Sequence, residues 1–265
     1  GGIEYLKWDC NRELYPAAIN GRGRATSHTL GVYALMDRLR ARFPELEIES
    51  CASGGSRIDF GILPRVTRFW ASDATDALDR IRINKDLSRY IPVEMIGSHV
   101  GSSPNHITGR TFSMRFRALV AMFGHFGLEL DPSVLSEKDK TALMVAIKVH
   151  KRFRGWMHSG RIRTLSVPDK HLDVTMVESK DAEHILVRVL RTGMSARPLH
   201  ARIALPRLES SCVYAVSEVV FDGGPDTGIG SFSAEGLAWS GLDMDPKKPN
   251  EGRLFYLKRQ ETVRT

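Results

Sequence analysis

Three cysteines in 265 residues, Cys10, Cys51 and Cys212, are too few and too irregularly spaced for a disulfide framework or a thiolate metal site. Reduced thiols in a cytoplasmic protein are the expectation they set. No apolar run approaches the ~18 residues that a membrane-spanning helix requires. Blocks of one charge are missing too. The 38 Lys and Arg are scattered among 31 Asp and Glu, so the formal net charge of +7 reads as a solvated basic face, not a nucleic-acid tract. The one denser region, 148–163, falls on an expected helix and the strand after it. Neither a nucleic-acid nor a membrane partner is expected. Internal repeats and low-complexity tracts are absent. So is an initiator methionine: the chain opens inside what reads as a core strand. The expectation is a fragment, with any signal peptide or upstream domain outside view.

What is present is ordinary globular composition, 42% hydrophobic and 26% charged. The chain is organised around Tyr5-Leu6-Lys7-Trp8-Asp9-Cys10-Asn11-Arg12. An apolar run from Ile3 to Leu6 ends in a lysine, a tryptophan and an acid, then breaks into a polar, turn-rich segment. That reads as a short buried strand delivering a carboxylate and an ammonium to its C-terminal end, where parallel α/β folds place active sites. Lys7 and Asp9 are two apart, so on a strand they point the same way. A lysine, an aspartate and an aromatic at a strand mouth suit a sugar. A plain strand end with a solvated acid is the competing reading of these eight residues.

Two further stretches repeat the pattern. Cys51-Ala52-Ser53-Gly54-Gly55-Ser56-Arg57-Ile58-Asp59 follows a strand over Leu46–Ser50, and Arg68-Phe69-Trp70-Ala71-Ser72-Asp73-Ala74-Thr75-Asp76 runs from strand to aromatic to acid to helix start. Glycosidases need two carboxylates, one to attack the anomeric carbon and one to protonate the leaving oxygen. Asp9 and Asp73 stand at the ends of two different strands. Asp76 competes with Asp73 for the second role.

Taken in order, these motifs resemble the α-galactosidases of glycoside hydrolase family 36. Gly97-Ser98-His99-Val100 and Pro104-Asn105-His106-Ile107-Thr108-Gly109-Arg110 extend the resemblance to about Asp131. Ser56 stands where the family commonly has a third glycine, and Cys10 where methionine is common. The resemblance implies a retaining α-galactosidase acting on oligosaccharides such as melibiose or raffinose, with Asp9 as nucleophile and Asp73 as acid/base. Tyr5, Lys7 and Trp8 would lie along the galactose site with Asn11, Gly54 and Arg57 near it, and Cys51 and Trp70 would close its wall. Gly54 and Gly55 also read as turn residues beside the ligand, and Arg57 and Asp59 as a pair holding that turn. His99 and His106 read as polar loop anchors, since retaining chemistry needs neither metal nor cofactor. The expected partner is a small carbohydrate, within a homo-oligomeric parent enzyme. Alternatives are a galactosyl transferase of the raffinose-synthase type and a non-catalytic carbohydrate-binding or structural remnant.

The element pattern is α/β, then β. Strands over Leu46–Cys51, Thr67–Ala71, Val93–Gly97 and Leu128–Leu130 alternate with helices over Thr29–Phe43, Asp59–Val66, Asp73–Ile83, Phe112–Phe126 and Ser136–Phe153. By resemblance this is a partial (β/α)8 TIM barrel, about strands 4–8, spanning residues 1–157, with Asp9 ending the fourth strand and Asp73 the sixth. From Arg161 the apolar period becomes two, with strands expected at stretches that include Arg202–Leu205 and Leu237–Leu242, between turns such as Pro168-Asp169 and Asp222-Gly223-Gly224-Pro225. An antiparallel β-sandwich over 158–265 is expected. A sheet that starts at a fourth barrel strand would leave edges unpaired, and the isolated fragment is expected to be inactive.

Overall fold

The computed structural model describes residues 2–11, 18–19, 22–23, 25–195 and 202–260. Most of the polar, turn-rich segment 11–24, with Arg12, and the segments 196–201 and 261–265 lie outside the described residues. The first sheet contains β1 (Tyr5–Trp8), β4 (Glu47–Ser50), β5 (Arg68–Trp70), β6 (Ile96–Gly101) and β7 (His125–Glu129), in that spatial order and parallel throughout. A two-residue ladder, β2 (Ala18–Ile19) with β3 (Arg22–Gly23), precedes α1 (Ala25–Arg42). Three more helices complete this portion: α2 (Ala77–Leu87), α3 (Met114–Ala121) and α4 (Glu137–Met157). Five parallel strands with intervening helices are the partial barrel expected from the sequence.

Period-two alternation divides the sheet into two unlike faces. Ile48, Phe69 and Ile96 face a cluster with Tyr33 and Met36 of α1, on which Trp8 also packs. The opposite face presents Tyr5, Lys7, Glu49, Trp70, His99 and Glu129, joined to one another by hydrogen bonds, ion pairs and ring contacts. Two glycines make room there. A Cβ on Gly97 would lie 3.3 Å from the Trp70 ring, and one on Gly127 would lie 2.5 Å from the His99 ring.

Several boundaries depart from the sequence pattern for identifiable reasons. α2 begins at Ala77, not Asp73, because the Asp76 carboxylate accepts from the backbone N–H groups of Leu78 and Asp79 and caps it there. The helix expected at Asp59–Val66 is only a 3-10 turn at Leu63–Arg65. α3 stops at Ala121, short of Phe126, so that β7 can begin at His125. Gly124 crosses β6 so closely that a Cβ would sit 2.6 Å from the Ile96 carbonyl oxygen. His99 lies on β6 rather than in a loop. α4 is capped by Ser136, whose hydroxyl accepts from the Asp139 N–H at 3.1 Å.

An antiparallel β domain follows, as expected, but where a sandwich was expected the described residues form one sheet covered on both faces by helices and loops. Its six-stranded sheet runs β12 (Thr227–Ser233), β11 (Val213–Glu218), β13 (Glu251–Gln260), β10 (His184–Arg191), β9 (Leu172–Glu178), β8 (Arg161–Leu165). One face, with Val177, Leu186, Leu190 and Leu254, packs on the apolar sides of α3 and α4. The other, with Val174, Val187, Tyr214 and Phe255, is covered by Ile203, Leu205, Leu242, Met244 and the short helix α5 (Ala234–Trp239). Arg202–Leu205, expected as a strand, contributes one bridge, Ile203 to Leu242. The stretch read as a strand at Leu237–Leu242 starts as α5 because the Ser233 hydroxyl accepts from the Gly236 N–H at 3.0 Å. β12 was hidden by its glycines, Gly228 and Gly230.

Three histidines are packed between β7 and α4, each donating a ring N–H to a backbone carbonyl. His125 donates to Glu94, His150 to Met122 and His158 to Gly124, with ring centroids 5.1 Å and 5.5 Å apart along the series 125–158–150. Burial, aided by nearby positive groups, pushes His125 and His150 from 6.5 down to about 4 and lowers His158. With folded values below the unfolded one, the unfolded chain takes up protons first as pH falls. Stability from this cluster should therefore be intact above pH 6.5 and drain away between 6.5 and about 4. Thermal melts of wild type and His150→Asn across that range check this; the variant should lose less Tm on acidification, and identical slopes would refute it.

Candidate functional site

Three neighbouring strands release their chains at the same edge of the parallel sheet, and the residues singled out in the sequence follow them. Asp9 is the first residue after β1, Cys51 the first after β4, and Asp73 lies three residues beyond β5. Asp9 is exposed and well supplied with donors. The Cys10 N–H donates to Oδ1 at 2.7 Å and the Asn11 side-chain amide to Oδ2 at 2.8 Å. Partial burial works to raise its pKa. Hydrogen bonds from the Cys51 thiol, Asn11 and Cys10, with the Lys7 ammonium behind them, outweigh this and hold it below the usual carboxylate range. The same contact acts in reverse on Cys51, whose thiol is pushed up to about 11 by burial and by donation to Asp9. Cys51 is thus a neutral donor beside a carboxylate, not a thiolate.

The loop after β4 connects this carboxylate to the other one. The Asn11 amide oxygen accepts from the Ser53 N–H at 3.1 Å. The next residue, Gly54, has φ +80° and presses against the following strand's exit: a Cβ there would lie 2.6 Å from Ser72 Cα and 3.0 Å from the Asp73 nitrogen. Gly55 does the same to the Ala71 carbonyl oxygen, at 2.6 Å. Asp9, Asn11, Ser53, Gly54 and Asp73 therefore form one short path across the strand ends. Asp73 is exposed, and the Trp70 indole N–H donates to its Oδ1 at 3.1 Å. Asp76, three residues on, is buried and fully engaged. Besides capping α2 it accepts from the Thr108 hydroxyl at 2.5 Å and from Arg110 Nε at 2.8 Å.

Behind the two carboxylates sits a group that the sequence reading missed in part. Glu49 is 1% exposed; its Oε2 accepts from the Tyr5 hydroxyl at 2.7 Å, and its Oε1 lies 3.7 Å from Lys7 Nζ. Burial and this bond raise the Tyr5 pKa. Trp70 is fully buried, stacked on His99 at 4.3 Å, with Lys7 Nζ 5.0 Å from its ring centre. His99 in turn pairs with Glu129 at 3.2 Å, and this bond, with Lys7 and Arg80 nearby, lowers the Glu129 pKa. Tyr5, Lys7, Trp70 and His99 stand in the motifs read from the sequence, whereas Glu49 and Glu129 carried no signal. Glu49 alternates with apolar neighbours and looks solvated until the inward face of the strand is known.

Not every expected residue joins the group. Trp8 turns to the other face of β1, one residue out of phase with Lys7, and packs in the cluster under α1. Arg57 makes no ion pair with Asp59 among the described residues. Asp59 accepts instead from the Tyr33 hydroxyl, at 2.6 and 2.7 Å, and from the Ile62 N–H. Arg57 lines a cleft of about 640 Å³ beside the Asp9 loop, together with Cys10, Asn11, Ser53 and Ser56. His106 stays apart from His99, and no group of side chains suited to a metal ion occurs among the described residues.

Residues 1–160 match the melibiase family. The chain belongs to that family. Its relatives include an α-galactosidase of Escherichia coli, 41% identical over 212 residues, which covers 80% of this chain and 30% of that protein. The galactosidase domain of the α-galactosidase/sucrose kinase AgaSK is similar over 98% of this chain and 35% of its own, at 33% identity and a TM-score of 0.85. The family 36 α-galactosidase AgaA of Geobacillus stearothermophilus, solved in complex with raffinose, gives a TM-score of 0.86 at 31% identity, over 97% of this chain and 36% of its own. The expected relationship to family 36 is thereby met. The chain spans about a third of the length of these relatives.

Gly54→Ala tests the loop contact. The substitution imposes a left-handed backbone on alanine and drives a methyl into the Ser72 backbone, which should cost on the order of 2 kcal/mol. Urea denaturation should show the loss, whereas Gly31→Ala, on an open helix surface with nothing within 4 Å, should not. Equal stability of the two variants would mean that the contact is not made.

Proposed function

We propose that this chain carries the catalytic carboxylates of a retaining α-galactosidase, with Asp9 as nucleophile and Asp73 as acid/base. The observation that supports this most directly is the pairing of two exposed carboxylates at the exits of β1 and β5, joined through Asn11, Ser53 and Gly54. Membership of the melibiase family and the AgaA complex with raffinose support an α-galactoside as substrate.

The chemistry assigns each group a task. A nucleophile must be ionised, and donors on both oxygens with Lys7 close by keep Asp9 so. It attacks the anomeric carbon while Asp73 passes a proton to the departing oxygen; in the second step Asp73 takes a proton from water and the galactosyl ester on Asp9 is cleaved. Asp73 suits proton exchange because it is exposed and, among the described residues, only the Trp70 indole donates to its carboxylate from a side chain. Asp76, accepting from two N–H groups, a hydroxyl and a guanidinium, is committed to holding α2 and the Asn105–Arg110 loop. Lys7 lies between Asp9 and Glu49 and is placed to meet ring hydroxyls as well as to steady the nucleophile.

In the full-length protein, Asp9→Ala should nearly abolish turnover, and azide should restore it as a β-configured galactosyl azide. With Asp73→Ala, activated substrates should still be attacked, and azide should give the α product. Swapped stereochemistry by NMR would mean that the two roles are reversed.

Among the described residues, β1 and β7 each pair on one side only. Residues 1–265 assayed alone should therefore turn over an aryl α-galactoside orders of magnitude more slowly than the full-length protein, since missing hydroxyl contacts are those that tighten in the transition state. Comparable rates for the two would refute this.

A further inference from the structure

Arg80 is a costly side chain to bury in the barrel portion. It leaves the first turn of α2 and is 1% exposed. Its Nη2 donates to the Ser72 carbonyl at 2.6 Å, while Nε and Nη1 are buried without a hydrogen-bond partner among the described residues. Its guanidinium carbon lies 3.8 Å from the centre of the Trp70 ring. Burial pulls its pKa down to about 10, against the opposing pull of Glu129, Asp73 and Glu49, so it remains a cation at neutral pH. Two unpartnered nitrogens and a desolvated charge carry a penalty that the cation–π contact does not offset. A methionine or leucine would fill the space without that penalty. The charge and its directed bond are therefore what this position uses.

Both of its contacts converge on one residue. The bond to the Ser72 carbonyl fixes the peptide immediately before Asp73, and the stacked guanidinium fixes the indole whose N–H donates to Asp73 Oδ1. The far side of that environment is closed by His99 stacked on Trp70, Lys7 near the same ring, and the carboxylates of Glu49 and Glu129. We infer that Arg80 is a positioning residue for Asp73, holding the acid/base carboxylate through the Trp70 indole and the Ser72 carbonyl. This rests on the reading of Asp73 as the acid/base.

A positioning role for the acid predicts an effect that depends on the leaving group. An activated aryl galactoside departs with little protonation, whereas the sugar leaving group of raffinose needs the proton. In the full-length protein, Arg80→Met should lower kcat/KM on raffinose about 100-fold, the scale of a carboxylate displaced by about 1 Å. Its loss on the activated aryl substrate should be at least about tenfold smaller. Trp70→Phe, which keeps the ring and removes the N–H, should discriminate in the same direction. The double variant should cost no more than the worse single one, because both act through one carboxylate. Arg80→Lys, which keeps a cation, should recover part of the raffinose rate; with Trp70→Phe it carries the test should Arg80→Met not fold. Equal losses on the two substrates, or additive losses in the double variant, would overturn the inference. Asp73→Ala is the reference: if it fails to discriminate between the substrates, the acid/base reading itself falls, and that outcome is distinct from a failure of Arg80 alone.

Discussion

Parallel strands send alternate side chains to opposite faces, and in this chain the inward face is charged. Everything near the site follows from managing that charge. The barrel interior gathers Lys7, Glu49, Arg80, His99 and Glu129 around one buried indole. Glu49 and Arg80 are buried, and isolated buried ions are prohibitively costly, so positive and negative groups must be interleaved around them. They are: Lys7 faces Glu49, His99 faces Glu129, and Arg80 lies within the field of both carboxylates. The inward glycines, Gly97 and Gly127, are part of the same arrangement, since side chains there would displace Trp70 and His99. The result is a stiff polar layer beneath Asp9 and Asp73.

That layer needs an outer support, and the antiparallel sheet supplies it. Arg188, on β10, is buried and donates to the carbonyls of Leu119 and Val120 at the C-terminal end of α3, where unsatisfied carbonyls and the helix dipole favour a cation. Its guanidinium also reaches Asp173 and Thr175 of β9, and Lys85 of α2 lies 3.5 Å from Asp173. Gly252 lets β13 approach the same helix: a Cβ there would lie 2.8 Å from a Leu119 methyl carbon. Two barrel helices are thus tied to one patch of the β domain by charge and by close backbone approach. Movement of the β domain would be felt at α2, the helix that carries Arg80.

Much of this was legible in the residues, and the failures have physical causes. The strand exits carrying Asp9, Cys51 and Asp73 were readable because each couples a short apolar run to a polar turn. The start of α2 was misread because Ser72, Asp73 and Asp76 are all competent caps, and only tertiary partners decide among them; Thr108 and Arg110 select Asp76. Trp8 was grouped with Lys7 although strand alternation forbids the two to share a face. Glu49 and Arg80 carried no signal, since a charged residue at an inward position looks the same in sequence as one in solvent. α5 and β12 were lost to local chemistry, a serine cap in one and glycine-rich strand composition in the other.

The displacement of the helix start has a consequence for how Asp73 can work. Had α2 begun at Asp73, that carboxylate would have been spent on backbone N–H groups, as Asp76 is now. Capping at Asp76 leaves Ser72 to Thr75 outside the helix, on backbone that is free to bring Asp73 under Gly54 and toward the Trp70 N–H. The motif Trp-Ala-Ser-Asp-Ala-Thr-Asp therefore contains two carboxylates with separate duties: one fixes the helix, and the other is kept out of it. Holding a carboxylate on non-helical backbone costs order, which must come from elsewhere. Gly54 supplies it from one side by steric contact and Arg80 from the other by a hydrogen bond to the Ser72 carbonyl. An exposed acid in a short irregular segment is then nearly as well placed as one on a strand.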